Sequence, residues 1–189
     1  MMGLFPVSCD LFCFDECACG RLPTPRNFVI DSMIVGIIAN NQDANPDQGY
    51  SVDDLVIRVL PSEVTYTHAA STTPSFSIFS QAFACSPIPP GSAHPLKSIK
   101  FISNTAFFWN GRMIRETEEI TDLFRVAGFG SDTSFESLIR YRFNFLEQIP
   151  LDIRIKEQPS EETGLDINLK ITLSDDREFV FEGLRFRVK

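Results

Sequence analysis

The strongest constraint on the fold lies near the C-terminus, where Leu165, Ile167, Leu169, Ile171 and Leu173 alternate strictly with Asp166, Asn168, Lys170 and Thr172. A period of two over nine residues is that of a strand with one face buried and one face wet. Ser174-Asp175-Asp176-Arg177 supplies a turn, and Phe179 and Phe181 lead into Leu184, Phe186 and Val188 alternating with Arg185 and Arg187. The end of the chain therefore reads as a β-hairpin. Upstream, Leu151, Ile153 and Ile155 alternate with Asp152, Arg154 and Lys156 as a further strand, closed by a polar segment from Pro159 to Gly164.

The same reading extends towards the N-terminus. Phe28 to Ile30 and Met33 to Ile38 are apolar and β-branched, which predicts a first strand with a bulge or kink around Asp31 and Ser32. Leu55 to Leu60 is the next strand, interrupted by Pro61, and strand-like residues return at Val64–Thr67, Phe76–Phe83 and Ile99–Phe108. The stretch from Cys85 to Pro95, with four Pro, reads as loop. One segment breaks the pattern: Phe135, Leu138, Ile139, Arg142, Phe143 and Leu146 recur at helical spacing behind Ser134 or Asp132 as a cap, predicting a helix over 134–147. Ile120–Phe124 suggests a shorter helical turn. Several short strands with one helical excursion point to a mainly β chain, an antiparallel immunoglobulin-like β-sandwich with one short helix.

Length and charge narrow the function classes. At 189 residues, 18 of them Phe, the chain is long enough to bury one core without staples. A formal net charge of -8 disfavours general nucleic-acid binding, which needs Lys and Arg to neutralise phosphates. The sequence divides into 1–26, an apolar start followed by a Cys-rich linker, and 27–189, a single β domain. Met1 to Cys9 reads like the end of a secretory apolar segment meeting its cleavage site. Ser8-Cys9 resembles the end of a bacterial lipobox, with Pro6 standing where Leu is usual, and this resemblance implies that Cys9 carries a lipid anchor. A start placed too far downstream would explain the missing basic region.

Five cysteines, Cys9, Cys13, Cys17, Cys19 and Cys85, leave four once Cys9 is lipidated, and four permit two disulfides in three connectivities. Pairing one of the N-terminal group with Cys85 would close a loop of about 66 to 72 residues. Zinc is the competing reading of Cys13, Cys17 and Cys19, but C-x3-C-x-C lacks paired C-x2-C spacing. The layout as a whole, with stretches such as Cys85-Ser86-Pro87 followed by Ile99–Asn104, resembles exported lipoproteins of unassigned activity from Bacteroidetes-like bacteria. That resemblance implies an envelope location and a sandwich, and it carries over no functional residues.

Catalytic fingerprints are absent: no G-x-G-x-x-G, P-loop, H-E-x-x-H or G-x-S-x-G occurs. His68 and His94 stand in no triad context, and the adjacent Glu118 and Glu119 point apart in any regular backbone, unlike the paired carboxylates of glycosidases. Asp43, Asn45, Asp47, Ser51 and Asp54 match five positions of a calcium-loop register, but Gln48 replaces the turn glycine and a polar hairpin loop explains the same residues. No metal or cofactor is therefore assigned. Trp109, the only Trp, sits beside the turn Asn110-Gly111 and is the candidate ligand contact, against a competing role in the core. The expected function is a non-enzymatic envelope lipoprotein, held at the membrane by its lipid, that binds a protein or glycan partner. The alternative is an assembly subunit that pairs through an edge strand.

Overall fold

The computed structural model describes residues 27–67, 90–128 and 133–189. The cysteines, His68, Asp132 and the Phe76–Phe83 strand predicted above lie outside these residues. Among them, eleven strands form two main sheets and a small hairpin. The first sheet has the order β2 (Gln42–Asp43), β1 (Phe28–Ala39), β4 (Leu55–Tyr66), β9 (Leu151–Ile155), β8 (Phe124–Val126). The second has the order β3 (Gly49–Tyr50), β11 (Glu178–Val188), β10 (Thr163–Leu173), β5 (Leu96–Ser103). β6 (Phe107–Trp109) and β7 (Arg112–Ile114) make the separate hairpin.

Alternation decides what each sheet buries. Leu165, Ile167, Leu169, Ile171 and Leu173 on β10 are all buried, and Leu55, Ile57 and Val59 on β4 with Leu151, Ile153 and Ile155 on β9 face them in one core cluster. The fold is thus a mainly β sandwich. All main-sheet pairings are antiparallel except β3 with β11, a two-residue parallel contact at Arg187↔Gly49 and Val188↔Tyr50.

The predicted bulge is present: β1 shifts register against β4 between Ile30 and Ser32 and again between Ser32 and Met33. Pro61 does not interrupt β4. It lies opposite Met33, beside that bulge, and β9 pairs with β4 only from Ile57 to Val59, so the missing N–H at position 61 costs no ladder bond on the β9 side. The segment 99–108 is two strands rather than one.

The helix is shorter than its apolar period. Helix α1 spans Phe135–Arg140, capped by the Ser134 hydroxyl accepting from the Ser137 N–H. It ends because Arg142 takes φ 52° and the Arg142 and Phe143 N–H groups donate back to the Ile139 and Leu138 carbonyls, the paired bonds of a Schellman stop. Beyond it, the Phe143 carbonyl accepts from Leu96 and the Phe145 N–H donates to Ser92. Tertiary bonds thus take the residues that would have continued the helix. The 120–124 turn is a 3-10 turn at Thr121–Leu123.

Candidate functional site

The two flanks of the sandwich are finished differently. On one, β5 and β8 meet through a stack of Phe101 on Phe124 with ring centroids 4.0 Å apart. The outer edge of β5 is sealed there: the Ser103 N–H donates to Glu118 O at 3.0 Å, Ile120 N–H to Phe101 O at 2.8 Å, and Phe101 N–H to the Thr121 hydroxyl at 3.0 Å. No backbone group along that stretch is left to accept another strand.

The other flank holds β1 and β11, which touch across it. The outer edge of β1 is interrupted repeatedly. Phe28 bonds Gly91 and Ala93, the Ile30 carbonyl accepts from the Arg177 guanidinium at 2.6 Å, the Ile37 carbonyl accepts from Ala44, and β2 pairs at Ile38 and Ala39. These contacts and the two register shifts break the edge of β1 over Phe28–Ser32 and Ile37–Ala39, leaving Met33–Gly36 between them as a short regular stretch with the exposed Ile34.

β11 differs. Among the described residues, the strand that pairs with its outer edge is β3, and only at Arg187 and Val188. The Leu173 N–H donates to Arg177 O at 2.9 Å, which sets the phase of the ladder with β10. With Ile171 opposite Phe179 and Leu169 opposite Phe181, Phe179 and Phe181 exchange bonds with β10, whereas Glu178 and Val180 aim N–H and C=O outward. The regular stretch ends at a bulge, where the register shifts between Ile167 and Leu169 and Gly183 has φ 66°. Side chains alternate along this edge. Phe179, Phe181 and Leu184 turn towards the core and remain only partly buried, while Glu178, Val180 and Glu182 are exposed, Val180 by 53%. Among the described residues this edge therefore combines backbone that no strand pairs with and an apolar inner rim.

A second exposed surface lies on the β6–β7 hairpin. Asn110 and Gly111 both have positive φ, at 48° and 82°, as a two-residue hairpin turn requires. The Asn110 amide carbonyl accepts from the Ser160 N–H at 2.8 Å, tying the turn to the following loop. Alternation in this hairpin corrects the sequence assignment of Trp109. Its ring is 4% exposed and packs edge-to-face on Phe107, whereas Phe108, one residue earlier, is 62% exposed and faces the half-exposed Met113 across the hairpin. Phe108 borders an open cleft of about 450 Å³ lined also by Ser160, Glu161, Glu162 and Thr163.

The remaining candidates disperse. Asp43 lies in β2, the Asn45 side chain accepts from the Asp47 N–H, and Ser51 accepts from Asp53. The residues of the calcium-loop register are thus folded into consecutive side-chain turns. Among the described residues no group of three or more His, Cys, Asp or Glu is placed to hold a metal ion. Glu118 and Glu119 take different partners: Glu118 binds the Arg112 guanidinium at 2.5 Å and the Arg115 N–H at 2.9 Å, and Glu119 binds Lys100 at 3.0 Å. Those two donors, the Arg115 N–H first, hold the Glu118 carboxyl below the usual range. His94 lies 3.6 Å from Asp175, which also pairs with Arg177 at 2.5 Å. Burial raises the Asp175 pKa, but Arg177 and His94 outweigh it and the carboxyl ends below its ordinary value.

The densest polar cluster sits on the outer face of β10. The Asn104 amide donates to Asp166 at 2.7 Å and to Asn168 at 2.8 Å, and Arg185 donates to Asp166 at 2.7 Å. The Asn104 bond, against burial and with help from Arg185, holds the Asp166 carboxyl low. Every member has a partner within the cluster, which braces β5, β10 and β11 as one sheet behind the open edge. Sequence reasoning missed that edge because its openness depends on what lies beside β11 in space. The legible signal was the pair of glutamates flanking Val180.

The fold defines a β-sandwich in which, among the described residues, no strand pairs with the outer edge of β11 over Glu178–Glu182. The chain matches no family model, no curated protein and no solved structure.

Proposed function

We propose that this protein is a non-catalytic binding domain that takes up an extended segment of a protein partner by strand addition to the outer edge of β11. The carrying observation is the contrast between flanks: β5 is sealed by its own chain over Phe101–Ser103, while among the described residues no strand pairs with Glu178–Glu182, whose outward backbone groups lie beside half-buried Phe179 and Phe181. Backbone bonds supply the pairing and the alternate side chains supply selection, as in other strand-addition modules. Cys9 as a lipid anchor would place this edge at the cell envelope, where the partner would also be found.

Val180→Pro tests the edge directly, because it removes an N–H that points away from β10 and leaves the β10 ladder intact. A library of randomised extended peptides is selected on the full chain and then on the variant, after circular dichroism has shown the variant folded. Clones that bind the wild type and lose the variant support the reading. Clones that bind both alike, or no clones at all, overturn it. The anchor is tested separately by intact mass, from expression with the upstream frame restored in a bacterium that processes lipoproteins. Cleavage before Cys9 with added diacylglycerol is expected, and an unprocessed chain removes the anchor without touching the edge.

A glycan partner is the second reading, favoured by the exposed ring of Phe108 beside hydroxyl and carboxylate groups of the 160–163 loop. Calorimetry with an oligosaccharide panel, repeated on Phe108→Ala, decides it: binding that Phe108→Ala abolishes supports the reading, and no binding removes it.

A further inference from the structure

The charges along β11 specify which extended segment its edge accepts, and this inference rests on the strand-addition reading above. We infer that the occupant is a segment of another protein carrying Lys or Arg on one face and apolar residues on the other, and that a second copy of this chain is excluded.

The argument starts from register. A partner strand laid against Glu178–Glu182 places its residues directly opposite those of β11, with side chains on the same face as the residue they oppose. On the outer face these opposing residues meet Glu178, Val180 and Glu182, and on the inner face they meet Phe179 and Phe181. Glu178 is already shared with Lys170 at 2.7 Å but remains about half exposed, while Glu182 has no ion pair among the described residues. Cations opposite both carboxylates, an aliphatic residue opposite Val180, and apolar residues opposite the two Phe rings complete the edge. The chain's net charge of -8 favours the same sign of partner at longer range.

Self-association fails on the same geometry. Two copies of β11 paired antiparallel over the whole regular stretch have their two-fold axis at Val180. Glu178 of each copy then faces Glu182 of the other, so the dimer contains two like-charge contacts directly across the ladder. Sliding the register towards Arg185 to relieve them brings the bulges at Gly183 into the interface and breaks the bonds that the pairing needs. A foreign strand with the opposite charge pattern fits over the whole regular stretch without either penalty.

Two nine-residue peptides with identical apolar positions, one with Lys and one with Glu at the alternate positions, are titrated against the full chain by fluorescence anisotropy. The Lys peptide should bind about tenfold more tightly, since two favourable and two unfavourable cross-strand pairs separate the cases. The preference should shrink in 1 M salt, and Val180→Pro should abolish binding. Glu182→Lys should narrow the preference between the peptides. It should also convert a monomer into a dimer in sedimentation equilibrium, because the new ammonium faces Glu178 of the second copy. Equal affinity for both peptides, each lost in Val180→Pro, overturns the charge inference and leaves the edge reading standing. No binding of either peptide overturns the edge reading itself. A wild-type dimer that Val180→Pro dissociates overturns the exclusion of self-pairing.

Discussion

Ser92 pins a Pro-rich loop into the core, and removing its hydroxyl has a calculable cost. The residue is 3% exposed; its Oγ accepts from the Phe145 N–H at 3.0 Å and donates to the His94 carbonyl at 3.2 Å. Its backbone N–H donates to Phe145 O at 2.8 Å, and Phe145 is fully buried. Ser92→Ala leaves the Phe145 N–H without a partner and without access to water. An orphaned buried donor costs about 1–3 kcal/mol. At the midpoint of that range, and with a urea slope of about 2 kcal/mol/M, the unfolding midpoint should fall by about 1 M. Ser32→Ala is the control. Its hydroxyl bonds Ser62 at 2.7 Å on the exposed surface, where water replaces it, and the change should stay within about 0.5 kcal/mol. Equilibrium urea unfolding followed by far-UV circular dichroism reads both variants. If Ser92→Ala lies as close to wild type as Ser32→Ala, the Phe145 amide is not held by Ser92 and the loop is not pinned as described.

Further predictions concern the core and the acid side of the stability profile. Phe101 is fully buried and stacked on Phe124, so Phe101→Ala should cost about 3–5 kcal/mol in urea unfolding, and a loss below about 1.5 kcal/mol would contradict the sealed flank. The β6–β7 alternation predicts opposite outcomes for neighbours: Trp109→Ala should cost about 3–5 kcal/mol and Phe108→Ala less than about 0.5 kcal/mol, so comparable losses would place the hairpin in the wrong register. The Asp166, Asp175 and Glu118 carboxyls are all depressed in the folded state. Their stabilisation is present above the ordinary carboxylate pKa of about 4 and lost as pH falls through the lower folded values. Unfolding midpoints measured from pH 6 to pH 2 should therefore decline below about pH 4, and Asp166→Asn should show a shallower decline; an unchanged slope would refute the contribution of Asp166.

The parts of this fold that were legible are those set by local period. β10 and β11 were readable because every second side chain meets the same core, and the β1 bulge because Asp31 and Ser32 break an apolar run. The helix was overestimated because Phe143 and Leu146 continue a 3.6 period that the backbone abandons at Arg142, where bonds from Leu96 and Ser92 compete for the chain. Trp109 was misplaced by a single step: in a strand, one position separates core from solvent. The two-residue strands β2 and β3 carry no periodic signal at all. The open edge belongs to the same category, since the residues of β11 look like those of any half-buried strand until it is seen that no strand among the described residues pairs with Glu178–Glu182.

The shortness of that edge also says where its affinity must arise. Glu178 and Val180 offer two outward N–H and two outward C=O groups, so an added strand gains four backbone bonds before the bulge. At about 1 kcal/mol net each, these do not offset the roughly 4–15 kcal/mol that association costs in lost freedom. Backbone pairing alone therefore gives no stable complex, and the remainder must come from apolar burial. The partly buried rings of Phe179 and Phe181, with Leu184 beside them, are placed to supply it, because a partner's inner-face residues would cover them against the core. The glutamates on the outer face then select among strands that already satisfy the inner one. A peptide with the basic face but Ser at the positions opposite Phe179 and Phe181 should consequently fail to bind in the same anisotropy titration. Retained binding would mean that the edge is held by charge alone.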